Sequence, residues 1–189
     1  DREGGVGKMK GKWRESITIV MFGFLGLGFP DIDQLPGLFA ILHHRSIVTH
    51  SIIIPAALLA IRNSAIRFSA CGFILGISIH LAADVLSSPK GFGMIWLPWP
   101  IKIPLGWLSP AWLAINALVG MVWVKILLLR LKGWSPMTMY LITALSLGPC
   151  YAIIHEKSHL PFLSFVAIFG LSFALADWIA NHPWFRRLP

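Results

Sequence analysis

Hydrophobic residues fall into about six long runs along this chain, and short segments richer in charge, proline and glycine separate them. The runs cover residues 16–30, 47–61, 67–87, 109–130, 136–155 and 160–180. A helix that crosses the hydrocarbon of a bilayer needs about 20 mainly apolar residues. The pattern therefore predicts an all-α fold, a polytopic transmembrane helical bundle of about six spans. The second span is short and begins with polar residues, so we expect protein to cover its outer end.

Composition excludes a soluble globular protein. Hydrophobic residues make up 56% of the 189 residues and charged residues only 13%, with a mean hydropathy of +0.72. Soluble domains carry about 25% charged residues. The net charge of +8 reflects scarce acidic residues, and the basic residues lie between hydrophobic runs rather than in one patch. We therefore expect membrane lipids as partners and no nucleic acid.

The chain is predicted to hold one membrane domain over residues 16–189, preceded by a basic cytoplasmic segment at 1–15. Within that domain, chemistry-bearing motifs are confined to a first half, residues 16–108. The last three spans, within 109–180, carry no comparable motif. Both cysteines, Cys71 and Cys150, lie inside apolar runs, so no disulfide framework is indicated.

Basic residues give the spans a direction, because cytoplasmic loops carry an excess of Lys and Arg. One side of the predicted membrane receives most of them: Arg2, Lys8, Lys10, Lys12, Arg14, Arg62, Arg67, Arg130, Lys132, Arg186 and Arg187. The other side receives Arg45, Lys90, Lys102 and Lys157. Both termini are therefore predicted to be cytoplasmic, and the Pro/Trp-rich stretch 89–110 is predicted to be an outer interfacial loop.

Three polar motifs reach the outer level in this arrangement. Asp31 and Asp33 end the first span, a His-rich segment (HHRSIVTHS) leads into the second, and His80 and Asp84 lie near the end of the third. His80 and Asp84 are four residues apart, so on a helix they share a face and can bind one ion. Mixed Asp/His ligation suits zinc or a similar transition metal better than calcium or magnesium.

Each motif also has an ordinary explanation when it stands alone. A D-x-D at a membrane edge is commonly a solvated turn, and a histidine on a span often hydrogen-bonds a carbonyl. An Asp within a span is harder to explain, because at mid-span it costs about 2.5–3.5 kcal/mol. The convergence of all three motifs at one level favours a metal site.

The order PDID, HR-x-x-x-THS and LG-x-x-x-H-x-x-x-D-x-L, followed by a Pro/Trp-rich loop, resembles the YdjM family over residues 23–108. This family comprises membrane-bound proteins described as metal-dependent hydrolases or LexA-binding inner-membrane proteins, distantly similar to zinc-dependent phospholipases C. The resemblance implies the bacterial inner membrane, hydrolysis of a phosphoester or phospholipid, and a divalent metal, zinc or else manganese or iron. It also implies five metal ligands, namely Asp31, His44, His50, His80 and Asp84.

Further roles follow from the same resemblance. Asp33 would be an additional ligand or the general base, and Arg45 would contact phosphate. Thr49 and Ser51 would orient the neighbouring histidines. The chain departs from the family pattern at Gln34, where a His is usual, and at Ser46, where a Gly is usual.

Family members also commonly carry a further His on an upstream helix, whereas none precedes His43 here. Either an upstream part exists beyond Asp1 or one ligand is lost. Two functions therefore stay open. The chain is a metal-dependent hydrolase, or it is a non-catalytic subunit of a larger membrane complex that retains a vestigial site.

Three other features have simpler interpretations. The segment HEKSH (155–159) fits the H-E-x-x-H pattern of zinc proteases, but Pro161 follows closely, so we expect an outer loop. Lys125 and Asp177 lie near the inner ends of their spans, where they can pair or where Lys125 can extend to the headgroups. Gly72 and Gly76 have the G-x-x-x-G spacing that permits close helix contact.

Overall fold

The computed structural model describes residues 2–61, 63–87, 94–130, 134–155, 159–183 and 185. The helices within these residues are α1 (Arg2–Gly28), α2 (Pro36–Leu42), α3 (Ile53–Ala57), α4 (Ser64–Asp84), α5 (Ser109–Arg130), α6 (Trp134–Cys150) and α7 (His159–Asn181). Across the same residues there is no β-strand, only two isolated bridges. The predicted all-α fold is confirmed.

Five stretches of the described chain are helical, long and apolar enough to cross a membrane: Arg14–Gln34, Ser64–Asp84, Gly106–Arg130, Pro136–Ile154 and His159–Asn181. α1 extends without interruption from Arg2, across the predicted boundary at residue 16. The span in α4 is 72% buried inside the protein, compared with 28% or less for those in α1, α6 and α7. α4 is therefore the central helix, and the others pack around it.

α1 and α4 run in the same direction and lie in close contact. Gly23 faces Gly76 so closely that a Cβ on Gly76 would overlap the Gly23 carbonyl oxygen. One turn further along, the Leu27 carbonyl accepts a hydrogen bond from the His80 ring, at 2.9 Å. The predicted role of Gly76 in close helix contact is confirmed. We call the end of the bundle at which α1 and α4 finish the outer end, and the opposite end the inner end, after the predicted orientation. Because α1 and α4 are parallel, the chain between them must return from the outer end to the inner end.

That return corresponds to the predicted second span, 47–61, but it is a broken passage rather than a long helix. It contains only the five-residue α3 and a 3₁₀ turn, Leu58–Ala60. Pro55 lacks a backbone N–H, and polar side chains occupy the start of the segment, so the stretch of helix-forming residues is short. The chain then becomes extended at Ile61 before α4 starts. The Asn63 side chain caps α4 by accepting from the N–H groups of Ala65 and Ile66.

The remaining helices alternate in direction. α5 begins beside His50, whose carbonyl accepts from the Trp112 indole at 2.9 Å, and it ends near the start of α4. α6 returns to the outer end, where Pro149 interrupts its hydrogen bonding and the chain continues as a π-helical turn, Tyr151–His155. α7 runs back beside α5. The start of α1 and the end of α7 therefore lie at the same end of the bundle.

The described part of the Pro/Trp-rich loop, residues 94–108, covers the outer end as predicted. Its Trp96 exchanges backbone hydrogen bonds with Arg45 and Ile47, at 2.9 and 2.8 Å. The Trp99 N–H donates to the Ile41 carbonyl at 2.7 Å, and the Trp96 ring stacks on His43. The loop is thus bound to the segment that precedes the second passage. Residues 88–93 of the predicted loop lie outside the described residues.

Candidate metal centre

Three side chains from two separate segments meet at the outer end of the bundle. His80 and Asp84 are one turn apart on α4, and His50 comes from the segment before α3. One ligand atom from each lies within 4.8 Å of the other two, and all three residues are at most 1% exposed. His, Asp and His at such separations form a group that can hold a metal ion.

The hydrogen bonds of His80 identify which ring nitrogen faces the group. Its Nδ1 lies 2.9 Å from the Leu27 carbonyl oxygen, which can only accept, so Nδ1 carries the proton. In a neutral imidazole the other nitrogen then holds a lone pair. This atom, Nε2, lies 3.4 Å from Asp84 Oδ2 and 3.2 Å from the Tyr151 hydroxyl. When the ring is neutral, His80 therefore presents a lone pair to the group, and the Tyr151 hydroxyl donates to it.

The hydrogen bonds of His50 likewise turn its Nε2 towards the group. Thr49 donates its hydroxyl proton to Asp33 Oδ2 at 2.6 Å, which leaves its oxygen to accept from His50 Nδ1 at 3.1 Å. In a neutral ring that donates from Nδ1, the other nitrogen carries no proton. Its Nε2 therefore also holds a lone pair, 3.6 Å from Asp84 Oδ2.

Three acceptor atoms of the group lack a hydrogen-bond partner within the described part of the chain, namely His50 Nε2 and both carboxylate oxygens of Asp84. A buried polar atom without a partner costs about 1–3 kcal/mol, and more when it is charged. When both rings are neutral, their lone pairs face the Asp84 carboxylate, and the neighbouring cation is the Arg45 guanidinium, 3.4 Å from Asp84 Oδ1. The chemistry of these ligand atoms thus fits a bound metal ion.

Asp33 supports this group from behind rather than joining it. The carboxylate is fully buried and accepts from three groups: His44 Nδ1 at 3.1 Å, the Ser46 N–H at 3.0 Å and the Thr49 hydroxyl at 2.6 Å. Through Thr49 it fixes His50, and through its other oxygen it fixes His44. Carboxylates that orient metal-binding histidines in this way are common around protein metal sites.

His44 occupies the accessible side of the cluster. Its side chain is 24% exposed, whereas Asp33 beneath it is fully covered. The ring lies edge-on to that of His50, with 6.3 Å between their centroids. The predicted ligand His44 thus lies beside the group formed by His50, His80 and Asp84, with its Nδ1 held by Asp33.

Arg45 reaches the group from a strained position. Its φ of +60° is unusual for a residue with a side chain, and His43 two residues earlier has a φ of +66°. The guanidinium is buried, lies 3.4 Å from Asp84 Oδ1 and donates to Ser87 Oγ at 3.1 Å. Such strain concentrates at functional sites. A buried positive charge therefore adjoins the metal-binding carboxylate.

Asp31 lies apart from the other candidate ligands. It is partly exposed, and its Oδ1 accepts from the Gln34 side chain at 2.7 Å. It borders an apolar cavity between α1 and the end of α6. The three-residue group is complete without it.

Sequence reasoning missed two residues that contact the group. Tyr151, in the π-helical turn after α6, contacts the ligand nitrogen of His80, and Ser87 holds the Arg45 guanidinium. Ser87 follows the H-x-x-x-D motif closely, so its position on the outer side could have been inferred. No motif surrounds Tyr151, and only the contact of α6 with α4 brings it to the site.

The other predicted motifs have different outcomes. Lys125 pairs with Asp177 at 2.8 Å at the inner end of the bundle, as one of the two interpretations predicted. Lys125 also donates to the Phe173 carbonyl at 2.9 Å, and its ammonium lies 3.0 Å from the Phe173 ring centroid. The centre of the HEKSH segment, residues 156–158, lies outside the described residues.

Comparisons with known protein families, with curated proteins and with solved structures found no match.

Proposed function

We propose that this protein is a membrane-bound, metal-dependent hydrolase of a phosphoester, with its metal held by His50, His80 and Asp84. The observation that carries the proposal is the buried group of His50, His80 and Asp84, in which His50 Nε2 and both Asp84 oxygens have no hydrogen-bond partner among the described residues. The resemblance of residues 23–108 to the YdjM family supports the reaction class.

Zinc suits these ligands best. Its bonds to His nitrogen and carboxylate oxygen measure about 2.0–2.2 Å, which places the ligand atoms of a tetrahedral ion roughly 3.3–3.6 Å apart. The separations from Asp84 Oδ2 to His80 Nε2 and to His50 Nε2 are 3.4 and 3.6 Å. Three protein ligands and one open position are typical of catalytic zinc. Such an ion would act as a Lewis acid and lower the pKa of a bound water molecule.

His44 is the proposed proton carrier. Its Nδ1 is held by the buried Asp33 carboxylate, which leaves Nε2 to take a proton from water as that water attacks phosphorus. A histidine oriented by a carboxylate recurs in hydrolases of several folds. The P–O bond to the leaving alcohol then breaks, and His44 returns the proton to that alcohol. Asp33 accepts three hydrogen bonds already, so it serves better as the orienting group than as the base first predicted.

Arg45 is the proposed phosphate contact. Its buried guanidinium lies beside Asp84, and its Nε has no hydrogen-bond partner, so a phosphoryl oxygen can accept from it. A positive charge in a dry site stabilises the negative charge that develops on the phosphoryl oxygens. The strained backbone at Arg45, whose carbonyl accepts a hydrogen bond from the Trp96 N–H, supports a role of this kind.

The proposed location is the bacterial inner membrane, with both termini cytoplasmic and the metal centre at the outer face. The positive-inside rule supports this orientation, because most of the Lys and Arg residues lie in the segments that the sequence predicts to be cytoplasmic. Membrane lipids are the expected surroundings.

A non-catalytic subunit of a membrane complex is the second candidate. The departures from the family pattern at Gln34, where a His is usual, and at Ser46, where a Gly is usual, favour it. In that case the cluster would be a vestige that binds no metal, and protein partners would copurify with the chain.

Metal content tests the proposal directly. We expect detergent-purified protein equilibrated with zinc to retain about one metal equivalent by elemental analysis. The His50→Ala/His80→Ala variant should retain none, because it keeps only one of the three ligands. A matched control, His159→Ala/His182→Ala, removes two exposed histidines outside the group and should bind as the wild type does.

The activity assay follows on the same samples. The zinc-loaded wild type should hydrolyse bis(p-nitrophenyl) phosphate, and His44→Ala should lose turnover while it keeps its metal. If the wild type holds no zinc, manganese or iron after equilibration, the hydrolase proposal fails and the non-catalytic subunit replaces it.

A further inference from the structure

An apolar groove lies on the surface of the bundle between the outer end of α1 and the end of α6. It encloses about 750 Å³, and its walls include Phe24, Leu25, Phe29, Ile32 and Phe73. Phe24 and Leu25 are 66% and 60% exposed, so this wall faces outward from the protein. It lies within the spans Arg14–Gln34 and Ser64–Asp84, at the depth where a bilayer would surround it.

The groove adjoins the metal centre through one lining residue, Tyr151. Its polar lining side chains are Asp31 and Tyr151, both at the outer end. The Tyr151 hydroxyl lies 3.2 Å from Nε2 of His80, which is one of the three ligand atoms. Tyr151 therefore belongs to both the groove and the site. A molecule lying in the groove has its outer end beside the group that would bind the metal.

The shape and polarity of this path match one kind of occupant. Phe24 and Gly28 lie one turn apart on α1, so the apolar part extends roughly 6 Å or more into the bilayer from the level of the site. Lipid chains are the apolar molecules present at this depth. The positive charge of Arg45, beside Asp84, suits an anionic headgroup at the metal centre.

We propose that the substrate is an outer-leaflet phospholipid whose acyl chain lies in this groove while its phosphoester reaches the metal centre past Tyr151. This inference rests on the proposed hydrolase function and names its substrate class. Access is from the side, between α1 and α6, and not beneath the loop at 94–108.

Gly28 provides a specific test. It lines the groove, and a Cβ built on it meets no atom within 4 Å, so a larger side chain fills the groove without disturbing the packing. Gly170 on α7 is also exposed and equally free of neighbours, but it lies outside the groove. Gly28→Leu is therefore the test variant and Gly170→Leu its matched control.

The experiment uses a photoreactive phosphatidylglycerol with a diazirine at the middle of one acyl chain. The full chain is reconstituted in phosphatidylethanolamine/phosphatidylglycerol vesicles and irradiated, and the labelled peptides are mapped by mass spectrometry. We expect label to concentrate on residues 24–35 and on Tyr151. It should fall roughly five-fold in Gly28→Leu, because the leucine occupies the volume that the chain needs, and stay unchanged in Gly170→Leu.

Metal content measured on the same samples separates the two proposals. Bound metal together with label spread evenly over all lipid-facing helices, insensitive to Gly28→Leu, overturns the groove and leaves the hydrolase standing. Groove-specific label without bound metal overturns the hydrolase and leaves a lipid site. Groove-specific label with bound metal supports both.

Discussion

The bundle buries charged side chains at both of its ends, and the two clusters differ in how their polar atoms are satisfied. At the inner end, the Lys125 ammonium contacts Asp177, the Phe173 carbonyl and the Phe173 ring. At the outer end, His50 Nε2 and both oxygens of Asp84 lack a hydrogen-bond partner among the described residues. In the inner cluster a cation pairs directly with the acid at 2.8 Å, whereas in the outer cluster the nearest cation, Arg45, lies 3.4 Å from Asp84 and leaves these acceptors without hydrogen bonds.

This difference separates a structural charge pair from a binding site. A pair that satisfies its own hydrogen bonds needs no further component in order to be stable in the membrane. A cluster of buried acceptors without hydrogen-bond partners is stabilised when a cation joins it, so it is suited to binding a metal ion. The outer cluster should therefore respond to metal and the inner cluster should not.

The largest effect is expected for Asp84→Asn. The amide keeps the size of the carboxylate but removes the negative charge that a zinc ion requires, so we expect complete loss of bound metal. Asp177→Asn makes the same change in the inner cluster and should leave the metal content at the wild-type level. Elemental analysis of both variants makes the comparison. Metal loss in Asp177→Asn would show that the two ends are not independent.

Thr49→Val should lower the affinity for the metal ion although it removes no ligand. The variant loses the hydroxyl that connects Asp33 to His50 Nδ1, so the ring is free to turn. Loss of such an orienting contact typically lowers metal affinity about 10–100-fold. A competition titration with a chromophoric chelator measures the change. Thr18→Val, at an exposed hydroxyl on α1, is the control, and equal affinities in the two variants would contradict the orienting role.

Lys125→Met should lower stability and leave the metal centre unchanged. The variant removes the ion pair, the hydrogen bond to Phe173 and the contact with its ring, while Asp177 is half exposed and can be hydrated. We expect the free energy of unfolding to fall by about 1–2 kcal/mol. Thermal unfolding in detergent, followed by circular dichroism, reports this change. Unaltered stability would mean that the inner pair contributes little to the fold.

The smallest effect is expected for Tyr151→Phe. Metal binding at His80 Nε2 must break the hydrogen bond from the Tyr151 hydroxyl, which is worth about 1 kcal/mol, so removal of that hydroxyl should raise zinc affinity about five-fold. The same chelator competition measures it. A decrease in affinity would instead show that the Tyr151 oxygen is a further ligand.

Much of the fold follows from the sequence because long apolar runs mark the segments that can lie within a bilayer. It predicts the five long helices and, through their alternating direction, the common level of His50, His80 and Asp84. It cannot show whether an apolar run is one helix, and the passage at 47–61 is broken although its composition suits a span.

The site was predicted less completely, for two physical reasons. Asp33 and His50 are near each other because a loop takes positive φ angles at His43 and Arg45, and neither residue type signals that conformation strongly. Tyr151 reaches His80 through helix packing and a π-helical turn, which no local motif encodes. The sequence identifies the motif residues. It does not show that one carboxylate oxygen of Asp33 accepts from His44 and the other from Thr49.

The parallel pairing of α1 and α4 has a consequence for how the protein is made. Two helices that insert one after the other as a hairpin end up antiparallel, so α4 can dock on α1 only after the short passage between them has been placed in the membrane. Until Gly76 closes on Gly23, His80 has no Leu27 carbonyl to hold its ring. Insertion of this short, broken passage therefore precedes metal loading during biogenesis, and a chain arrested at that segment would be inserted but metal-free.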